Sequence, residues 1–140
     1  MKRHPSLVPL SREHHDALIL AQLIKKNAPA YNGLPQTVEG KKEYALAMFK
    51  SHLLPHFKKE EKILQQVKDC HKDIGELAAV IITEHKELAY LFSLLEESAD
   101  TAAVLDKTGY LLESHIRKEE RKLFPMIQEY CSEEILQQLK

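Results

Sequence analysis

The 140-residue chain is poor in the residues that interrupt helices and in those that build thiolate or disulfide frameworks. It contains four glycines, two cysteines and no tryptophan. Cys70 and Cys131 stand far apart and form neither a CxxC nor a zinc-finger spacing, which gives no basis for a thiolate zinc site and suits a reducing compartment. We interpret both cysteines as ordinary helix residues.

Two further absences concern membranes and nucleic acids. The longest apolar runs, such as LAAVII at 77–82, are far too short to span a bilayer, and the N-terminal residues lack a signal-peptide apolar region. Twenty basic and twenty-one acidic residues leave a net charge of −1, which favours neither nucleic acid nor an anionic membrane as a partner. We therefore expect a soluble, cytoplasmic protein with a single domain over residues 1–140.

Between a few breaks, apolar residues recur every three or four positions, which predicts an all-α protein. The clearest break is APAYNGLPQT at 28–37, and the turn DCHKD at 69–73 is a second. We predict four helices over approximately 11–27, 38–69, 74–97 and 101–138. Long helices joined by mostly short turns favour an antiparallel up-down four-helix bundle.

Individual residues are expected to shape the ends and interiors of these helices. The predicted N-caps are Ser11 for the first helix, Asp73 with Glu76 for the third, and Asp100 or Thr101 for the fourth. We expect Pro55 to kink the second helix and Pro125 to bend the fourth, because proline cannot donate the helical hydrogen bond. Gly109 is expected to weaken the fourth helix.

The sequence contains an internal repeat. HFKKEEKIL at 56–64 is nearly repeated as HIRKEERKL at 115–123, and EHHDALILAQLI at 13–24 aligns with EHKELAYLFSLL at 84–95. The chain therefore reads as two similar αα-hairpins, which we expect to pack about a pseudo-two-fold axis.

The repeated histidines and glutamates fall on the apolar faces of the predicted helices. Four residues rotate a helix by roughly 400°, so a histidine and the glutamate four places later project from one face. By this criterion six side chains point into the core: His14, His56, Glu60, His85, His115 and Glu119.

Burying two carboxylates and four imidazoles without a cation would be costly, which predicts a pair of metal ions in the core. We expect each ion to take two histidines and to share Glu60 and Glu119 as bridges. The nitrogen and oxygen donors favour iron, with manganese or zinc as substitutes, over structural zinc, calcium or magnesium. At least one coordination position should remain for water, an oxo or hydroxo bridge, or a small diatomic ligand.

Several neighbouring residues leave alternatives open. His15 would replace His14 as the ligand if the first helix were rotated by one position, although the repeat and the apolar face both favour His14. His52 lies one turn before His56, but Leu111 holds the matching place in the fourth helix, so we assign His52 a packing or supporting role. We expect Glu61 and Glu120 to face solvent or to pair with Lys and Arg.

A single histidine, then HxxxE, then a single histidine, then HxxxE along four helices resembles the hemerythrin-like, or HHE cation-binding, family. The resemblance covers essentially the whole chain. It implies a four-helix bundle holding a non-haem di-iron centre, with the ligands at His14, His56, Glu60, His85, His115 and Glu119. This sequence has Ala89 four residues after His85, where oxygen-carrying hemerythrins have a second histidine, and HxxxE where they have a more widely spaced aspartate.

These departures count against dedicated oxygen transport. The pattern is closer to the family's bacterial iron-sulfur repair proteins, but it lacks their cysteine-bearing N-terminal extension. Three functions remain: a di-iron protein that binds or senses O2 or NO, a protein for iron handling or iron-sulfur repair, and a peroxidase-like redox enzyme. We expect a metal- and small-ligand-binding protein rather than a catalyst, with its protein partner unidentified.

Overall fold

The computed structural model describes residues 2–139 and is all-helical, with no strand among these residues. We number its helices in chain order. They are α1 (Val8–Leu23), α2 (residues 38–67), α3 (Lys72–Glu97), α4 (residues 101–130) and the short α5 (Glu133–Gln137). The prediction of an all-α protein with four long helices is confirmed, whereas several predicted ends are wrong.

The two ends of α1 differ from the prediction. The helix begins at Val8 rather than Ser11, because the His4 carbonyl accepts hydrogen bonds from the Leu7 and Val8 amides and starts the first turn there. It ends at Leu23 rather than Asn27. Beyond this end the amide of Lys26 donates to Asp106 of α4 at 2.6 Å instead of to the helix.

The remaining boundaries are set by side-chain caps. A ring nitrogen of His71, not the predicted pair Asp73 and Glu76, accepts the hydrogen bond that caps α3, whereas Asp100 caps α4 as predicted. The fourth helix does not continue to residue 138. It ends at Tyr130 because Cys131 and Ser132 adopt extended conformations, and Ser132 then caps α5.

Both α2 and α4 contain a widened π-helical turn. In α2 the segments are Val38–Met48, the π turn Phe49–Leu53, and Leu54–Val67. In α4 they are Thr101–Lys118, the π turn Glu119–Leu123, and Phe124–Tyr130. Pro55 and Pro125 each follow two residues after a π turn. The turn opens the backbone in the place where the proline ring would meet the carbonyl four residues earlier, so it accommodates both prolines.

The four long helices pack on one another through two separate hydrophobic clusters. Helix α1 contacts α2 and α4, and α3 contacts the same two helices. One cluster joins the start of α1 to the ends of α2 and α4, and includes Leu10, Val67 and Ile127. The other joins the opposite ends of the long helices and includes Leu20 and Leu95. A buried polar layer lies between the two clusters.

Gly109 has a structural role that the sequence did not indicate. It is buried in α4 against α1, and a Cβ atom added to it would lie 2.7 Å from the Ala21 carbonyl oxygen and 3.0 Å from Ile24. Only glycine allows the two helices to approach this closely. Its effect is therefore to permit packing, rather than only to weaken the helix.

The two cysteines were predicted as ordinary helix residues, and this is wrong. Both lie just beyond helix ends, Cys70 after α2 and Cys131 after α4, in the same hydrophobic cluster. Burial and a hydrogen bond with Cys70 raise the pKa of the Cys131 thiol to about 12. Both are free thiols.

Across residues 2–139, every helix is too short or too polar to cross a lipid bilayer.

Candidate metal centre

Six ionisable side chains meet in the polar layer between the two clusters. They are 4% exposed or less, a degree of burial that is unusual for charged and polar groups. Their helices approach one another here because apolar residues flank the layer on both sides. The six are His14 of α1, His56 and Glu60 of α2, His85 of α3, and His115 and Glu119 of α4.

These side chains form two groups of four that share the two glutamates. One group contains His14 and His56 with Glu60 and Glu119, and the other contains the same glutamates with His85 and His115. Within each group, one nitrogen or oxygen atom from every residue lies within 4.8 Å of the others. Each group could therefore hold a metal ion.

Six of the donor atoms at the centre lack protein hydrogen-bond partners. Among the described residues, these buried atoms are Nε2 of His14, His56 and His115, Oε2 of Glu60, and both carboxylate oxygens of Glu119. Some lie close together without hydrogen-bond geometry, such as His115 Nε2 and Glu119 Oε1 at 2.9 Å. Since buried polar atoms are normally paired, six of them aimed at one volume fit a group of metal cations.

The other ring nitrogen of each histidine points outward and is paired with a glutamate. In all four cases the distance from Nδ1 to a carboxylate oxygen is 2.8 Å. An ionised carboxylate can only accept, so Nδ1 carries the proton. Nε2 faces the centre in all four; it is unpaired in His14, His56 and His115, and in His85 it lies 3.1 Å from Glu60 Oε1. The pairs are His14 with Glu120, His56 with Glu13, His85 with Glu61, and His115 with Glu84.

This outer layer of glutamates follows the internal repeat. Glu13 and Glu84 each precede a central histidine in sequence, yet each binds the histidine of the neighbouring helix. Each also pairs with a lysine, Lys59 at 2.8 Å from Glu13 and Lys118 beside Glu84. Glu61 and Glu120 occupy matching positions in the second helix of each hairpin, and each binds a histidine of the opposite hairpin.

The pKa values in this centre reflect competition between burial and the carboxylates. Burial would lower the pKa of His14, but the neighbouring carboxylates of Glu120 and Glu60 outweigh it and raise the pKa to about 9. Burial would likewise raise the pKa of Glu60, whereas the imidazoles of His14 and His56 beside it hold it well below its ordinary value. At His115 burial prevails and lowers the pKa. The carboxylates thus favour positive charge within this centre.

The structure also places the residues for which the sequence left alternatives. His15 is exposed and points away from the centre, whereas His14 is inside it. His52 supports rather than joins the centre: its Nε2 lies 3.0 Å from the Glu13 carbonyl oxygen, and its ring stacks near that of His56.

Our expectation for Glu61 and Glu120 was incomplete. Glu120 does pair with a basic residue, Arg3, at 3.3 Å, but both glutamates also bind central histidines. The sequence analysis missed this role, and it missed Glu13 and Glu84 entirely. The available signal was the repeat itself, which preserves a glutamate directly before His14 and His85 and directly after Glu60 and Glu119.

The fold and the site define a helical protein with a buried histidine–glutamate centre suited to binding metal cations. The model of the Hemerythrin HHE cation binding domain family matches residues 7–127, a range that contains all six central residues. The chain belongs to this family, which confirms the resemblance seen in the sequence. No match was found among curated proteins or solved structures.

Proposed function

We propose that the protein binds two iron ions in this centre and uses them to bind or sense O2 or NO, or to handle iron under oxidative or nitrosative stress. One observation carries the proposal: unpaired buried donor atoms converge from two groups of four side chains that share Glu60 and Glu119. Two histidine nitrogens and two shared carboxylates per ion would leave coordination positions open for a small ligand.

In this proposal the chain's own residues bind, orient and enclose the ions. The outward Nδ1 hydrogen bonds hold each imidazole with Nε2 toward the centre, and the hydrophobic clusters on both sides exclude bulk water. Bound iron would supply redox chemistry and affinity for diatomic ligands. The family and the observed helix contacts support the antiparallel four-helix bundle that we infer around the centre.

The choice of iron is part of the proposal. All the donors are imidazole nitrogen and carboxylate oxygen, which suit iron or manganese better than they suit calcium, magnesium or structural zinc. Protein purified from a heterologous host could hold zinc or nickel instead, because the affinity of a given site for divalent first-row metals rises from manganese toward copper whatever the function.

A second candidate function is iron donation, for example in the repair of iron-sulfur clusters. A surface groove lined by His85 and Glu61 favours it, because this groove has one of the central histidines in its wall. A protein that gives up metal needs such a route, whereas a carrier of diatomic gas does not.

The test is metal content followed by ligand binding. We expect anaerobic reconstitution with ferrous iron to give two ions per chain by elemental analysis. Addition of O2 or NO should then change the ultraviolet-visible spectrum of the loaded protein, and metal-free protein serves as the control. Iron content near zero would refute the metal centre. Two ions without any response to O2 or NO would refute ligand binding and leave iron handling as the function.

A further inference from the structure

The two ends of the centre are covered differently. Beside His85, a shallow groove of about 280 Å³ lies between α2 and α3. Leu54 and Phe57 line it on one side and Ala89 on the other, with His85 and Glu61 also in its wall. The Glu61 side chain is 44% exposed and binds His85 Nδ1 at 2.8 Å. The groove therefore has a central histidine and its outer glutamate in its wall.

At the equivalent end beside His14, further contacts hold the outer glutamate in place. Glu120, which matches Glu61 in the repeat, accepts a hydrogen bond from Ser11 at 2.8 Å and pairs with Arg3. The Arg3 guanidinium also lies 5.3 Å from the centre of the Phe124 ring, and that ring stacks on His14. The residues before α1 thus form a strap that fixes the outer carboxylate of His14, and we use this name for residues 2–4.

We propose that divalent cations enter and leave the centre through the groove beside Glu61 and His85, so that the ion held by His85 and His115 exchanges faster than the ion held by His14 and His56. This inference rests on the proposed function. It concerns the route and order of metal exchange, which the family assignment and the two groups of donor atoms leave open.

Glu61 is the group suited to receive a cation in the groove. It is the one acidic side chain among the residues that line the groove, and it offers a cation the one carboxylate there, against the repulsion of Lys58 and Lys86. A cation held by the exposed carboxylate would lie next to the imidazole that binds it in the centre. The aromatic ring of Phe57, stacked on His85 with ring centres 4.1 Å apart, closes the rest of the wall. For a cation to pass, Glu61 and His85 must therefore separate. In the described structure Glu61 has no other hydrogen bond or ion pair that would hold it in place.

The experiment begins with protein loaded anaerobically with ferrous iron and shown to hold two ions per chain. Excess of a chelator that colours on binding ferrous iron is then added, and release is followed with time. We expect two phases of one ion each. Ala89→Trp should fill the groove and slow the fast phase about tenfold. This corresponds to raising the activation free energy of release by about 1.4 kcal/mol. Leu54→Trp on the facing wall provides an independent block.

Ala103→Trp is the matched control, because Ala103 lines a different surface groove between α3 and α4. It should change neither phase. In the reciprocal variant, Arg3→Ala combined with Ser11→Ala, we expect the slow phase to accelerate while the fast phase stays unchanged. Each variant is first checked for two bound ions and for an unchanged helical circular dichroism spectrum.

Several outcomes would overturn the inference. These are a single release phase in the parent protein, no effect of either block in the groove, or acceleration of the fast phase when the strap is loosened. Failure to load two ions would instead contradict the proposed function, before any release is measured. The two failures are therefore distinguishable.

Discussion

At the scale of single residues, the two ring nitrogens of each central histidine have different roles. The outward nitrogen is fixed by a carboxylate 2.8 Å away, and the inward nitrogen is left for the centre. A histidine therefore serves this centre only if it meets both requirements. His14 meets them, whereas exposed His15 meets neither.

We predict that His14→Ala reduces the iron content of reconstituted protein to about one ion per chain, because it removes one of two histidines from one group of donors. His15→Ala is the matched control and should retain two. Elemental analysis of both variants after anaerobic reconstitution measures the number of iron ions per chain. The reverse pattern would mean that α1 presents the other histidine to the centre.

A second prediction concerns the outer glutamates. Glu84→Ala removes the acceptor from His115 Nδ1 and frees Lys118, so we expect metal affinity to fall about 10–100-fold. Glu87→Ala, three residues later on the exposed face of α3, should leave affinity unchanged. Competition with a chelator of known affinity measures both variants. Equal affinities would show that Glu84 has no supporting role.

The six central residues could be predicted from the sequence because helical periodicity places them on one face of each helix. The outer glutamates could not. Glu13 lies about 100° around α1 from His14, and its partner His56 belongs to α2, so the contact depends on how two helices pack. Periodicity describes each helix separately and contains no information about that packing.

At the scale of helices, α2 and α4 are less alike than the repeat suggests. The π turn of α2 ends before His56, whereas the π turn of α4 begins at Glu119 and contains a central residue. Both turns precede a proline, and the prolines are not at matching positions of the repeat. The sequence indicated a disturbance at Pro55 and Pro125, but local sequence does not determine whether a helix kinks or widens there.

The close approach of α1 and α4 yields a prediction for Gly109. In a helix interior alanine is more favourable than glycine by about 1 kcal/mol. At position 109, however, the alanine Cβ would lie 2.7 Å from a backbone oxygen, and a backbone atom cannot move aside as the end of a flexible side chain can. We expect Gly109→Ala to destabilise the metal-free protein by about 1–3 kcal/mol in urea unfolding. Gly75→Ala, whose nearest contact would be 3.1 Å, should cost less. Stabilisation by Gly109→Ala would show that the helices separate easily.

The same pair of helices is tied by Glu113 of α4, which gives a pH-dependent prediction. A hydrogen bond from Lys25 at 2.8 Å, and a further one from Gln22, lower the pKa of Glu113 below its ordinary value of 4.5. A lowered folded-state pKa stabilises the fold above the unfolded-state pKa, and this stabilisation is lost as pH falls through the folded-state value.

Glu113→Gln should therefore destabilise the metal-free protein near neutral pH, by up to about 1 kcal/mol, and the difference should vanish as the solution is acidified below pH 4.5. Urea unfolding over this pH range measures it, with the exposed Glu96→Gln as control. If the difference in stability between the parent and Glu113→Gln persists in acid, it arises from packing rather than from the ion pair of Glu113 with Lys25.

At the scale of the whole molecule, a layer of ionisable groups separates the two hydrophobic clusters. Such a layer weakens a metal-free fold, because buried charges lose hydration, whereas bound cations restore favourable interactions for each carboxylate and imidazole. Binding to the folded state alone adds RT ln(1 + [L]/Kd) to stability, about 2.7 kcal/mol at a free metal concentration of 100 Kd. Metal content and fold stability should therefore change together.

Glu119 tests this coupling most directly, since it is fully buried, belongs to both groups of donors, and has both carboxylate oxygens unpaired. We predict that Glu119→Gln lowers iron content below two ions per chain and narrows the gap in melting temperature between loaded and metal-free protein. The metal-free variant should be no less stable than the metal-free parent, because glutamine preserves the shape and removes a buried charge. Glu129→Gln, an exposed glutamate of α4, is the control and should keep the full gap. Thermal unfolding of the parent and both variants, followed by circular dichroism with and without ferrous iron under anaerobic conditions, gives the melting temperatures, and elemental analysis gives the iron content. If Glu119→Gln preserves both the gap and the iron content, then Glu119 does not link metal binding to the stability of the fold.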